Sequence, residues 1–276
     1  MSLNFCILAS GSNGNCSVIW TEKTAILIDC GCSGKYIVEN LDSLDISLQN
    51  LTAAVITHAH MDHISASGLR LLRKNNVPLY LHEDIFRDVF RKYGKKLEEC
   101  VTTTFYEDSR IKDIDVKYFD VHHKDANISR AIGFSFSHVV NAKQYKVGYV
   151  TDTGKICDKI IKNLVNSDIL VIESNYDRMM LNDSFRPYDN KRWVISDWGH
   201  LSNEDAADAV CEIKRLSSNK DSLKYVFLAH ISKHHNTPEL AMQTTRETLL
   251  KKSIADVKIL TTKRKQKCAT IRIAAN

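Results

Sequence analysis

Three histidines and an aspartate crowd into six residues at His58-Ala59-His60-Met61-Asp62-His63, directly after the apolar run Ala53-Ala54-Val55-Ile56-Thr57. Imidazole nitrogens suit zinc and other borderline metals, and a carboxylate can complete the shell. A loop at a strand tip aims all four side chains to one side. A histidine-rich polar loop is the plain alternative. The position of the cluster, at the very end of a buried-looking strand, favours a metal site.

Something must hold that loop in place, and the chain has the means. Its 276 residues are 43% hydrophobic and 26% charged, an ordinary globular composition. Glycine, proline and serine form no linker, so one continuous domain over 1–276 is the simplest reading. No window supplies the roughly 20 apolar residues of a membrane span, and the N-terminus lacks the basic start of a secretory signal. A cytoplasmic protein without membrane contact is expected. The eight cysteines contain no CxxC pair, which excludes a zinc ribbon by spacing and fits small core residues in a reducing compartment. A net charge of +5 permits an anionic partner without demanding one.

Short β-branched runs come first, at LNFCILA, CSVIWT and TAILIDC, separated by GSNGN and EK turns. A helix is expected over 33–44, a strand at AAVIT, a helix over 64–76, then a short strand and another helix within 79–92. Strands return at DVKYFDV, AIGFSFSHVV and KVGYVTD. Helices near 155–165, 203–217 and 238–252 then alternate with the strands DILVIES and KYVFLAH, and DVKIL and ATIRI close the chain. Thr237 and Pro238 form a good helix start. This order suits two sheets packed face to face with helices outside.

HxHxDH after a buried strand resembles the metallo-β-lactamase superfamily. The resemblance implies an α/β (α+β) fold, a four-layer αββα sandwich with metals at one sheet edge. It assigns Asp29, in LIDCG, to orienting the metal loop. In FDVHHKDA, Phe119 selects His123 as a ligand, with His122 the alternative. TDTG supplies Asp152 as a bridge between two metals, against the plain reading of an Asx turn, and KYVFLAHIS supplies His230. The implied set is His58, His60 and His123 on one divalent metal, and Asp62, His63 and His230 on the other, with Asp152 shared. Zinc or manganese is expected, iron being admitted by the same ligands. His138 reads as a strand residue, His82 as a helix cap, and His234 and His235 as surface loop.

The flanking residues resemble one branch. Glu173, in ESNYD, and His200, in GHLSN, look like the acid pair of phosphodiesterases, with His200 protonating the leaving oxygen and Glu173 orienting it. Asp62 is expected to help orient the attacking hydroxide between the metals. Ser202 and Asp205 also fit a helix cap. SGSNGN, GLRLLRKNNVPLY, ESNYD, GHLSN, LAHIS and NTPELA together resemble the YycJ/WalJ-type metallo-hydrolases from Phe5 to about Ala241. The implied activity is 5′-to-3′ exonuclease action on DNA. The alternatives are a phosphodiesterase for small cyclic or nucleotide substrates and, from another class, a metal-bound nucleic-acid binder without catalysis. Substrate contacts are expected from Ser10, Ser12 and Asn13 in the glycine-rich turn, and from Ser202 and Asn236. The basic run Lys263–Lys267 reads either as a hairpin tip or as a contact to a nucleic-acid backbone. Two departures stand near the site: a longer stretch after His123, and Lys233-His234-His235.

Overall fold

Turn residues cut the first thirty positions into β1 (Ser2–Ala9), β2 (Cys16–Trp20) and β3 (Ala25–Ile28), an antiparallel meander in the computed structural model, which describes residues 2–274. Three parallel strands extend it: β4 (Ala53–Val55), β5 (Leu79–Leu81) and β6 (Thr102–Thr104). The crossovers carry helices α1 (Gly34–Asp42), α2 (Ala66–Lys74), α3 (Glu83–Tyr93) and α4 (Lys95–Glu98). Ser33 and Ser65 begin α1 and α2 by accepting from the N–H groups of Tyr36 and Gly68.

The second half repeats the plan. β7 (Asp108–Ile111), β8 (Ile114–Asp120), β9 (Ile132–Val140) and β10 (Lys143–Val150) run antiparallel. Then β11 (Ile169–Glu173), β12 (Tyr225–Ala229) and β13 (Lys258–Thr261) add on in parallel. Their crossovers hold α5 (Asp158–Leu164), then α6 (Arg178–Asp183), α7 (Tyr188–Val194) and α8 (Asn203–Leu216), then α9 (Pro238–Lys251). β14 (Ile271–Ala274) returns to pair with β1. The result is two seven-stranded sheets.

Period-two alternation sorts side chains between layers. Ile169 and Val171 of β11, and Phe227 and Ala229 of β12, face the core between the sheets together with Phe5, Ile19 and Ile26. Leu170, Ile172, Val226 and Leu228 face the other way, onto Ile160, Val210 and Leu249 of the outer helices. The first sheet is covered by Ile37, Leu69 and Val89 of α1, α2 and α3. Burying each such side chain contributes about 1.5–3 kcal/mol. The αββα sandwich expected from the sequence is the observed fold. Every expected strand and helix is present. β6, β7, α4, α6 and α7 are further elements that the sequence pattern does not predict.

Register decides where chemistry can sit. Ile28 pairs with Val55, Val150 with Ile172, and Glu173 with Ala229. The carboxyl ends of the parallel strands are therefore level, and a crevice opens there, where open α/β sheets bind ligands. Among the described residues, no helix is long and apolar enough to cross a membrane.

Candidate metal centre

Each expected ligand, like the orienting Asp29, follows a strand end. Asp29 comes after β3, His58 to His63 after β4, His123 after β8, Asp152 after β10 and His230 after β12. Three of them, Asp29 (φ 60°), Asp152 (φ 52°) and His230 (φ 52°), have left-handed backbone. Such conformations cost a non-glycine residue about 1–3 kcal/mol. Here they turn the chain sharply at the strand tip and set the side chain into the crevice.

The side chains converge in two groups that share one carboxylate. In the first, His58 Nε2 lies 3.1 Å from His60 Nδ1, which lies 3.4 Å from His123 Nε2. In the second, Asp62 Oδ2 stands 3.6 Å from His63 Nε2 and 3.4 Å from His230 Nε2. Asp152 lies between them, with Oδ2 3.1 Å from His63 Nε2, and Oδ1 4.0 Å from His123 Nε2 and 3.4 Å from His230 Nδ1. Within each of the sets His58-His60-His123, His58-His63-Asp152 and Asp62-His63-His230, the ligand atoms lie within 4.8 Å of one another. Asp152 Oδ2 is buried and receives no hydrogen bond. Nitrogen and carboxylate donors facing one another across a space, one of them orphaned, fit divalent cations. His123 enters the cluster. His122 stays outside, its ring beside Trp198 at 5.4 Å.

Behind the cluster, a further layer of groups fixes the rings. Asp29 is wholly buried. It accepts from Thr57 N at 2.8 Å and from Thr57 Oγ1 at 2.9 Å, and lies 2.7 Å from His63 Nδ1. His123 Nδ1 faces the Gly199 carbonyl at 2.9 Å. His60 Nε2 faces Asp125 Oδ2 at 3.1 Å. Asn15 Nδ2 donates to Asp62 Oδ2 at 3.2 Å and lies 2.9 Å from His63 Nε2. Neither Asp125 nor Asn15 is among the site residues expected from the sequence. Asp125 lies in the longer stretch after His123, and Asn15 ends the glycine-rich turn whose Ser10, Ser12 and Asn13 are the expected substrate contacts.

Glu173 and His200 meet, with Oε1 2.7 Å from His200 Nδ1 and 3.1 Å from His230 Nδ1. Glu173 Oε2 accepts from the N–H groups of Thr153 at 2.8 Å and Leu201 at 3.2 Å. The carboxylate thus ties the Asp152 turn, the His200 loop and His230 together.

Of the expected substrate contacts, Ser12 and Asn13 are exposed at the turn, and Ser10 Oγ accepts from His230 N at 2.8 Å. Ser202 and Asn236 are corrected by the structure. Ser202 is fully buried and caps α8, accepting from Asp205 N at 3.1 Å and donating to Asp205 Oδ2 at 2.6 Å. Asn236 is buried too. Its Nδ2 donates to Ser174 O and Asn175 O, and its Oδ1 accepts from Asn203 and Thr237 N. Both are saturated by the fold and have nothing left for a substrate. Three of the other histidines sit as expected: His82 caps α3, His138 lies in β9 against Asp113 O, and His234 is exposed. His235, expected on a surface loop, is instead buried, with its Nδ1 3.4 Å from Ser232 Oγ.

The electrostatics favour a cation. Burial alone would raise the Asp62 carboxyl, but His63 and His230 draw it down to about 2. Burial opposes charge on His230, yet Asp152, Asp62 and Glu173 lift it to about 10. His63 is likewise pushed well up, against burial, by Asp152, Asp29 and Asp62. His123 and His58 are pushed down by burial, His123 to about 4. Positive charge is wanted around Asp152, while neutral imidazoles are ready on the other side. A metal ion would supply the positive charge in place of the protons on His63 and His230, since ligand imidazoles must be neutral.

The family model for the beta-lactamase superfamily domain matches residues 24–231. The exodeoxyribonuclease WalJ of Streptococcus pneumoniae is 34% identical over 248 residues, 88% of this chain and 87% of that protein. The exodeoxyribonuclease YycJ of Bacillus anthracis is 30% identical over 253 residues, 91% of each chain. Among solved structures, the metallo-beta-lactamase fold protein YhfI of Bacillus subtilis superposes with a TM-score of 0.69 at 14% identity, covering 99% of this chain and 100% of that one. With a fold, a crevice of donors at the strand tips and relatives of this likeness, the chain belongs to the metallo-β-lactamase superfamily and, within it, to the YycJ/WalJ-type metallo-hydrolases.

Proposed function

We propose that this metallo-hydrolase is a phosphodiesterase that degrades DNA as a 5′-to-3′ exonuclease. The observation that carries the reading is the Glu173–His200 pair, 2.7 Å apart beside the ligand cluster. An alkoxide leaving group needs a proton, and an imidazolium held by a carboxylate can give it. Lactam or thioester cleavage leaves such a pair without a task. The relatives named exodeoxyribonucleases, matched along about nine-tenths of the chain, support DNA as substrate.

We assign His58, His60 and His123 to one divalent metal and Asp62, His63 and His230 to a second, with Asp152 shared. Zinc or manganese suits these donors. When bound, such metals supply Lewis acidity that activates water and offsets charge on a phosphoryl group. The chain's own residues do the rest. Asp29 fixes the His63 ring, Asp62 accepts a hydrogen bond from the attacking water, and Glu173 turns His200 Nε2 toward the leaving oxygen. Ser12 and Asn13, exposed at the turn, offer polar groups to the substrate backbone. We place the enzyme in the cytoplasm, where its eight free thiols are at home, and treat residues 1–276 as one domain.

Leaving-group dependence tests the assignment. His200→Ala is expected to lower kcat on DNA by about 10²–10⁴-fold. Bis-p-nitrophenyl phosphate, whose leaving group needs no proton, should suffer far less. Equal losses on both substrates would remove His200 as the acid. Turnover of the small diester with no DNA cleavage would remove DNA as the substrate.

A further inference from the structure

The glycine-rich turn Ser10–Asn15 and the basic run Lys263–Lys267 come from opposite ends of the chain, and the fold sets them side by side. The turn is closed by Gly14 N donating to Gly11 O at 2.9 Å and by Gly11 N donating to Asn15 Oδ1 at 2.8 Å, with φ of 124° at Gly11 and 142° at Gly14. Its two ends reach the metal centre, through Ser10 to His230 N and through Asn15 to Asp62 and His63. Its tip, Ser12 and Asn13, is exposed, and among the described residues neither has a hydrogen-bond partner.

Arg264 lies along this turn. A β-carbon on Gly11 would stand 3.4 Å from Arg264 Cγ and 3.5 Å from its Nε. Nη2 donates to the carbonyl of Ile231, the residue after His230, at 3.3 Å. Nε is buried and bonded to nothing. Among the described residues no carboxylate pairs with Arg264, whereas Arg130, Arg178 and Arg215 each meet one. Guanidinium has five donors in a planar fork, and here a half-buried one holds a single main-chain oxygen. Burial without a counter-ion is costly for a charge, and it pushes the Arg264 pKa down. An anion arriving beside it offsets that cost. Lys265 adds charge on the other flank of the turn, toward Cys32, whose Sγ would stand 2.9 Å from a β-carbon on Gly14.

We propose that Arg264, with the Ser12–Asn13 tip, forms a phosphate-binding site beside the metal centre, which takes a backbone phosphate adjoining the one under attack. The proposal rests on the nuclease reading above. A turn whose two ends are anchored in the ligand cluster and whose tip is two or three residues away, about 7–10 Å at full extension, spaces a second phosphate from the first. The site thereby favours a polymer over a small diester.

Binding of a fluorescent, phosphorothioate-linked single-stranded oligonucleotide to the metal-loaded protein tests this, read by anisotropy across a salt series. Arg264→Gln keeps the stem on Gly11 and removes the charge. Ser12→Asp places a negative charge at the exposed tip, away from the core. Each variant should raise Kd about tenfold. In Arg264→Gln the slope of log affinity against log salt should also fall by about 0.7–1. Native affinity and slope in both variants would overturn the site. The two readings fail separately. If the native protein cleaves DNA while both variants bind it normally, the nuclease stands and the phosphate site falls. If the native protein binds DNA through Arg264 but cleaves none, the reverse holds.

Discussion

At His60, one imidazole nitrogen faces the ligand cluster and the other faces Asp125. Asp125 in turn accepts from Asn127 N at 2.7 Å and Ile128 N at 3.0 Å, so its carboxylate is held still. Its loop is pinned to α3 by Asp88, which accepts from Ser129 N and Oγ. Asp125→Asn is expected to weaken metal affinity about 10–100-fold, measured by competition with a chromogenic chelator. An unchanged affinity would make Asp125 a loop residue only. The seven candidate ligands were legible because each lies in a short motif at the end of an apolar run. Asn15 and Asp125 were not, because a carboxamide or carboxylate that acts through another residue carries no motif of its own. Ser202 and Asn236 were misread for a related reason. A polar residue near a motif looks available until the fold reveals its partners.

Strand tips are where this protein spends conformational strain. Gly31 follows β3 so closely under the metal loop that a β-carbon there would lie 1.7 Å from the Asp62 carbonyl oxygen. Gly31→Ala must displace the loop, at a cost of about 1–3 kcal/mol. Urea unfolding should show that loss, and metal titration should show weaker binding; native values for both would refute the close approach. A second element-scale prediction concerns β10. Burial holds the Lys146 ammonium down to about 8, with Lys117 adding repulsion, although its Nζ donates to Val165 O at 2.8 Å. Between pH 8 and 10.5 the unfolded chain binds more protons at this site than the folded one, so the site makes stability rise with pH across that window. The increment is on the order of 3 kcal/mol. Lys146→Met should abolish it, so that the variant's stability relative to the native protein falls as pH rises; a relative stability independent of pH would contradict this. The long alternating strands and capped helices were legible because their periodicity is strong. β6 was not, since Thr102, Thr103 and Thr104 are all exposed and show no alternation. The short α6 and α7 begin inside a polar stretch and bury only Leu181 and Val194 among their residues.

The whole molecule is two similar halves, each an antiparallel meander that continues into parallel strands, with the crevice where their tips meet. That arrangement gathers Asp29 and the His58–His63 loop from one half, and His123, Asp152, Glu173, His200 and His230 from the other. Neither half holds the set alone, so metal binding should link them. Metal at about a hundred times its dissociation constant adds about 2.7 kcal/mol per site, or about 5–10 °C in Tm for a chain of this size. Differential scanning calorimetry with and without a chelator should show a shift of this direction and size, absent from a His60→Ala, Asp152→Ala protein. Two sheets packed face to face could be read from the order of elements, but the residue-by-residue fit between them could not. It depends on contacts between residues more than a hundred positions apart.

The most direct test of the account is a time course on DNA labelled at the 5′ or the 3′ end, single- and double-stranded, with Mn²⁺ or Zn²⁺ and with His60→Ala protein alongside. The account predicts short products released first from the 5′ label by the native protein, and none by the variant. Intact DNA throughout, under conditions where the same preparation hydrolyses bis-p-nitrophenyl phosphate, would contradict it.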